Sequence, residues 1–514
     1  MSKLHARVMS FLHRAAPRIR HWPFGWLAIL IAGELVLAQR QLYVGLGFDE
    51  SYFLYEGWAV NHHLVPYRDF TEFKPPVLFW MNGLAQKLFG VQGAHYRWMF
   101  VLLLVLSTGS LFLVLCRRGA VRPLAFLAAA AVAYALLTPH LHDSGLDDSE
   151  TIGMELFLLG VAALLWTGRG VEIAGALGGA LLALVVLSKE PYAPAVVATW
   201  ATLGFVARDD RVLDWRRYAK LTLLGVAAVA VPVLLYLAVN GAIPFYVRNI
   251  RVYFHYVKEI GCSHPHSLRE LFLQAWPRLT EKLLIRDMLE SSVPLLVAFA
   301  VLPAWGLATR VGLVLAVLGG LYAVTVGGCY WNHYFVMGLA GLSLWIVLGA
   351  LALSRHLDGA SRDLRRWAVW AIMAGVVVHM GPIVEVTARS LPAGHAPENL
   401  TSLPPWILAY VKQNTTPADY VLTDGGPEFY VITGRKPPTR EVCFLDELID
   451  DSAGRTDEER LATVRQELRA RPPKVVYLSP DSVSRKVRTR HALIEPFLRD
   501  LKYRSVAPDL YVRP

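Results

Sequence analysis

The sequence predicts an α-helical polytopic membrane protein with a small C-terminal α/β domain outside the membrane. Three observations carry that prediction. Of 514 residues, 54% are hydrophobic and only 18% charged, with a mean hydropathy of +0.39, a balance outside that of ordinary soluble domains. Apolar runs close to the ~20 residues that cross a bilayer recur along the chain. Beyond residue 386 that character is lost.

The apolar runs fall at 24–44, 98–116, 121–138, 152–167, 171–187, 193–207, 219–239, 291–308, 311–327, 333–353 and 367–385, which makes about eleven transmembrane helices. The formal net charge is +10, but the placement of the basic residues matters more than their sum. Lys3, Arg7, Arg14, Arg18 and Arg20 precede the first run; Arg117, Arg118 and Arg122 follow the second; Arg208, Arg211, Arg216, Arg217 and Lys220 follow the sixth; Arg355, Arg362, Arg365 and Arg366 follow the tenth. These are alternate connections, so they share the cytoplasmic side, and no nucleic-acid partner is implied. The intervening loops then face outwards, and an odd number of spans puts the tail outside too. The basic start resembles a signal peptide with a cleavage site at Val36-Leu37-Ala38; the length of the run favours an uncleaved first span. Of the four cysteines, Cys262, Cys329 and Cys443 are expected outside and Cys116 near the inner face. Spacing decides nothing about a Cys262–Cys329 bridge.

The domain expectation is a membrane domain over 1–385, with outer loops at 45–97, 139–150 and 240–290, and an α/β domain over 386–514. The first outer loop holds a predicted helix at 50–60, a turn ending at Pro66, and a second helix from about 76 to 89 that starts on Pro75-Pro76, where a missing N–H costs little. The loop opening the fourth span carries four acids and no lysine or arginine. Ser188-Lys189-Glu190-Pro191-Tyr192 joins the fifth span to the sixth. The 240–290 loop alternates Phe245, Tyr246, Tyr253, Phe254 and Tyr256 with Arg248, Arg251, His255 and Lys258, as suits a surface that meets lipid headgroups or a lipid phosphate. In the tail, Tyr420–Thr423, Lys474–Leu478 and Tyr503–Val512 read as strands and Thr456–Arg469 as an amphipathic helix.

The chemistry concentrates at the outer face. Adjacent acids at a membrane boundary raise one another's pKa and are costly unless solvated, paired or functional, so Asp49 and Glu50 are candidates for a general base. The competing role for Asp49 is an N-cap. Lys74, beside Glu72 and Asp69 and followed by two prolines, is suited to hold a phosphate leaving group; its competing role is a surface salt bridge to Glu72.

The string Phe48-Asp49-Glu50, Pro66-Tyr67-Arg68-Asp69-Phe70, Lys74-Pro75-Pro76 and Leu88-Phe89-Gly90 resembles the first outer loop of bacterial GT-C glycosyltransferases of the protein-mannosyltransferase and aminoarabinose lipid A transferase type. Asn332-His333-Tyr334-Phe335 is similar to the start of a late span in that family, and Asp424 to Arg440 to its exterior domain. The resemblance implies an inverting transfer of a sugar from a polyprenyl-monophosphate donor to a cell-envelope acceptor (lipid A or core, another glycan, a lipid or a protein) at the outer, periplasmic face of the bacterial inner membrane. Asp49 would then deprotonate or orient the acceptor hydroxyl, with Glu50 beside it, and Asp147 or Asp148 would be a second acidic position. Lys74 would contact the donor phosphate, joined by Arg248, Arg251 and His255. Tyr52, Tyr67, Glu72, His333 and Tyr334 would line the substrate pocket, and the enzyme would be a monomer.

The physical logic runs the same way: a phosphate is already a good leaving group, so a base on one side and cations on the other suffice. No cofactor is required by this chemistry. Oxygen and nitrogen donors of the outer loops could hold a divalent metal, which the sequence leaves open. A transporter or lipid flippase would share the many spans, but such proteins show repeated halves and midplane sites. A polyprenyl-diphosphate glycan ligase or polymerase would share the outer site and rely on loop arginines such as Arg248 and Arg251.

Overall fold

The structure is a computed structural model. It describes residues 23–43, 48–137, 148–259, 295–326, 332–361, 366–371, 404–423, 426–442, 458–478 and 494–514, with a few isolated positions between them. The membrane region contains helices α1 (Pro23–Tyr43), α2 (Phe48–Asn61), α3 (Val77–Phe89), α4 (Trp98–Arg117), α5 (Arg122–Leu137), α6 (Ser149–Leu164), α7 (Val171–Val186), α8 (Ala193–Asp209), α9 (Trp215–Val239), α10 (Ile243–Glu259), α11 (Leu307–Thr325) and α12 (Phe335–Asp358). The expected segments from the first to the seventh, and the ninth and tenth, each coincide with one of these helices. The eighth does not: helix extends over residues 295–301 and breaks before Leu307. Most of the eleventh, and Cys262, Cys329 and Cys443, lie outside the described residues.

Among the described residues, four helices have both the length and the apolarity to cross a bilayer, at His95–Arg117, Trp215–Val239, Leu307–Thr325 and Phe335–Asp358. Phe24–Gln39, Arg122–Leu137 and Val171–Val186 are apolar but shorter. The central helix is α12, whose Phe335, Leu339, Ile346 and Leu351 are buried. By contrast α9 exposes Leu223, Leu224, Val231, Leu234 and Leu235, the apolar surface a lipid-facing helix presents.

Small residues let α7 and α9 meet closely. A Cβ on Gly179 would stand 2.0 Å from Thr222 O, and one on Gly225 1.8 Å from Ala176 O, so the two backbones touch reciprocally, as small residues permit between membrane helices. At one end of the bundle, Asp210 after α8 is gripped by Arg118 after α4 and by Arg355 near the end of α12. The Arg355 guanidinium also lies 4.4 Å from the Trp305 ring centroid. The basic loops expected on one side therefore meet in space, and the loops carrying Asp49, Lys189 and His333 gather at the opposite end.

There, α9 ends with Gly241 in the left-handed region (φ 64°), its N–H on Ala238 O and the next N–H on Leu237 O, a Schellman closure that turns the chain into α10. Residues 62–76 connect α2 to α3, and the two helices bond directly to each other: Gln86 Nε2 donates to Leu54 O at 2.7 Å and Asn61 Nδ2 to Gly83 O at 2.8 Å.

The tail carries α13 (Pro405–Asn414), β1 (Val421–Thr423), α14 (Glu428–Thr433), α15 (Glu458–Ala470), β2 (Val475–Tyr477), α16 (Glu495–Asp500), β3 (Arg504–Ala507) and β4 (Leu510–Val512). The strands form one mixed sheet of order β1-β2-β4-β3, parallel between β1 and β2 and antiparallel elsewhere. One face packs Leu422, Val476 and Leu478 against Leu461, Val464 and Leu468 of α15. The other carries Val421 and Tyr477, which join the core shared with the membrane region. That joining is direct: Thr71 N–H donates to Arg440 O at 2.9 Å, the Tyr430 and Tyr55 rings lie 5.8 Å apart, and the Arg440 guanidinium lies 5.5 Å from the Phe245 ring centroid.

Candidate active site

Asp49 lies in the first turn of α2, half-buried, with Oδ2 4.0 Å from His333 Nε2. That separation is an electrostatic contact rather than a hydrogen bond. His333 is nearly buried in the 3-10 turn Asn332–Tyr334 that leads into α12, its ring edge-on to Tyr334 at 4.8 Å. Glu50, next to Asp49, points the other way because successive helical residues diverge by about 100°. Both of its carboxylate oxygens bind the Arg97 guanidinium, and the Tyr96 hydroxyl donates to Oε1 at 2.8 Å. Glu50 and Arg97 are both 0% exposed, so Glu50 is an internal ion-pair partner facing away from the Asp49 side.

Lys74 is held from the backbone. The Tyr67 hydroxyl donates to Lys74 O at 2.7 Å, with Tyr67 itself in the left-handed region (φ 69°), a conformation rare outside glycine. Glu72 is fully buried, and its Oε1 accepts the N–H groups of Phe73 and Lys74 at 2.7 and 3.0 Å. The Lys74 ammonium lies 4.5 Å from the Phe53 ring centroid. Burial alone would pull Lys74 down, but Asp49 and then Glu72 outweigh it and hold the amine above its ordinary value. Lys74 is a firm cation, and Asp49 is close enough to help keep it so.

Of the second acidic loop, Asp147 lies outside the described residues, as do His140 and His142. Asp148 is buried at the start of α6, its C=O accepting the Ile152 N–H at 3.0 Å. Tyr52 is buried on α2. Arg248 and Arg251 are exposed on α10. The side chain of His255 is outside the described residues, although the helix runs through it. The α10 helix still reaches the site: Asn249 Nδ2 donates to Glu72 O at 2.8 Å, and Tyr246 packs 4.6 Å from the Tyr67 ring.

Two participants were not singled out from the sequence. Lys189 Nζ lies 2.7 Å from Glu150 Oε1 and 5.1 Å from the Tyr334 ring centroid. Glu150, in the first turn of α6, is pushed up by burial but pulled down further by Lys189 and then His333, to about 2. Asp49, His333, Glu150 and Lys189 thus come together from four separate segments, and Lys189 also opposes the charge of Lys74. The available signal was Lys189-Glu190-Pro191, a lone lysine just before a proline-started helix, as at Lys74-Pro75. Among the described residues, no three acids, histidines or cysteines gather in a set that could hold a metal ion.

Known structures with a similar fold place this arrangement in context. The crystal structure of ArnT from Cupriavidus metallidurans in the apo state matches over 96% of this chain and 98% of that one, with 15% sequence identity and a TM-score of 0.59. The oligosaccharyltransferase of Archaeoglobus fulgidus, crystallised with Zn and sulfate, matches over 88% of this chain and 67% of that one, with 13% identity and a TM-score of 0.50. No family model matches the sequence, and no curated protein matches it. At these identities the likeness is one of fold: the chain has an ArnT-like fold.

Proposed function

We propose that this protein is an inverting glycosyltransferase, moving a sugar from a polyprenyl-monophosphate donor to a cell-envelope acceptor at the outer face of the bacterial inner membrane. The observation that carries the reading is the pairing of Asp49 with Lys74 in one electrostatic unit at one end of a GT-C bundle. On this reading the multi-pass chain has its site and its C-terminal α/β domain (386–514) in the periplasm and works as a monomer.

The step is a single displacement. The acceptor oxygen bonds to the anomeric carbon as the bond from that carbon to the phosphate oxygen breaks. The acceptor proton passes to Asp49, and the polyprenyl monophosphate leaves with the electron pair. Attack opposite the leaving group inverts the anomeric centre. Lys74 meets the charge that grows on the phosphate, with Lys189 as a second cation on the same side and Arg248, Arg251 and His255 nearer the lipid surface. His333 stands beside the Asp49 carboxylate, and Asp147 or Asp148 serves as the second acid. Tyr52, Tyr67, Glu72 and Tyr334 shape the pocket. Glu50, locked to Arg97, holds the helix that presents Asp49.

The test is transfer by the reconstituted protein from a panel of labelled polyprenyl-monophosphate sugars to an envelope lipid and polysaccharide extract. Asp49→Asn and Lys74→Ala are each expected to cut transfer by at least about a hundredfold while the protein stays folded. Near-normal turnover in either variant ends its assigned role, and movement of the donor lipid across the bilayer without transfer ends the enzyme reading.

A further inference from the structure

Behind Lys74 lies a side chain that this chemistry does not use. Glu56 stands on α2 seven residues after Asp49, two helical turns along the same face. It is fully buried, and neither carboxylate oxygen meets a hydrogen-bond donor among the described residues. Glu72 has its Oε1 committed to two main-chain N–H groups, while its Oε2 is likewise without a donor among the described residues. After burial, Glu72 is the strongest influence on the Glu56 carboxyl, which puts the two orphaned carboxyls side by side. Two buried carboxylates do not meet this way while both are ionised, because the like charge makes one keep its proton. A single proton between them gives Glu56 a donor and Glu72 Oε2 a partner, whereas with both ionised every one of these buried oxygens stays unpaired and bears its full desolvation cost.

We propose that Glu56 is a neutral carboxylic acid whose O–H donates to Glu72 Oε2, and that this hydrogen bond fixes the Glu72-Phe73-Lys74 turn so that the ammonium faces a lipid phosphate. The phosphate part rests on the function proposed above. Glu56 touches no substrate; it is a positioning residue acting through Glu72. The other titratable and charged groups facing it are Lys74 and Tyr67 from the 62–76 connection and Asp49 from its own helix. Were both glutamates ionised, three carboxylates would surround one ammonium and repel an anionic donor; the proton on Glu56 removes one of those charges. Burial, and then the charge of Glu72, hold the Glu56 carboxyl well above the ordinary carboxylate range, in keeping with that geometry.

Two measurements on the full-length reconstituted protein test this. Infrared difference spectra between the wild type and Glu56→Gln should contain the carbonyl band of a protonated carboxylic acid, shifting in deuterated water; its absence overturns the proposal. Affinity for a polyprenyl monophosphate should stay within about twofold in Glu56→Gln, whose amide still donates to Glu72, and should fall by about tenfold or more in Glu56→Ala, where a hydrogen bond to a charged group is lost. Equal weakening in both variants, or none in Glu56→Ala, overturns the positioning role. If Glu56→Ala does not fold, the infrared band and the glutamine variant decide. If the wild type binds no polyprenyl monophosphate, the functional reading and the positioning role fall, while the band still decides the shared proton.

Discussion

Replacing Glu50 by alanine should damage the fold, while replacing its neighbour Asp49 by asparagine should damage only the chemistry. The magnitude follows from the surroundings of Glu50. Its carboxylate and the Arg97 guanidinium are both 0% exposed, two nitrogens of Arg97 bind it, and Tyr96 adds a third bond at 2.8 Å. Truncation leaves a guanidinium in a dry site without the carboxylate that both its nitrogens bind, a loss of about 3–5 kcal/mol. The displaced Tyr96 hydroxyl belongs to the same network, so its share does not add independently. Reversible unfolding of the detergent-solubilised protein is the assay, with Glu50→Ala, Arg97→Ala and the double variant compared. The double variant should lose much less than the sum of the single losses, because the unpaired charge has gone. A loss below about 1 kcal/mol in Glu50→Ala, or strict additivity in the cycle, would refute the reasoning.

Two further outcomes are expected. Glu150 is held at about 2, below its usual 4.5, by Lys189 and His333 against the opposing effect of burial. A carboxyl depressed in the folded state stabilises fully above its unfolded pKa and loses that contribution as pH falls through the folded value. The stability gap between wild type and Lys189→Gln should therefore shrink as the pH drops from 4.5 towards 2; a gap that stays constant across the window would show that the ion pair contributes nothing. Gly225→Val places side-chain atoms where a Cβ alone would stand 1.8 Å from Ala176 O. Forcing α7 and α9 apart should cost about 1–3 kcal/mol or more, read as a lowered unfolding midpoint in detergent, and an unchanged midpoint would mean that the helices do not pack as closely as described.

Much of the architecture was legible because it follows from local signals. The apolar runs stop at polar or charged residues, so the ends of α1, α4, α5, α7 and α9 fall within a few residues of those expected. Pro75-Pro76 marks the start of α3 because proline fits a first turn, and Tyr420–Thr423 and Lys474–Leu478 bracket β1 and β2 because β-branched apolar runs bounded by polar residues suit buried strands. The eighth run is described only in part, and its expected end at 308 overshoots for the same local reason: hydropathy does not register a break such as that at 302–306, where Pro303 interrupts an apolar stretch.

The sequence by itself determined that this is a membrane-embedded helical protein with charges crowded into a few loops, and it singled out Asp49 and Lys74 within them as candidates. Both conclusions rest on the cost of charge near lipid, which is a property of composition and position. Only the tertiary structure decided what each charge faces. Asp49 and Glu50 are adjacent in sequence and equivalent to composition, yet the turn of α2 sends one towards His333 and the other into Arg97. Lys189 and Glu150 are 39 positions apart and become a 2.7 Å pair, and Glu56, one apolar-looking turn among many, ends against Glu72. Such pairings depend on how helices pack across the bundle, a long-range outcome that no spacing rule encodes, and they separate charges buried against a partner from charges left at the open end of the bundle.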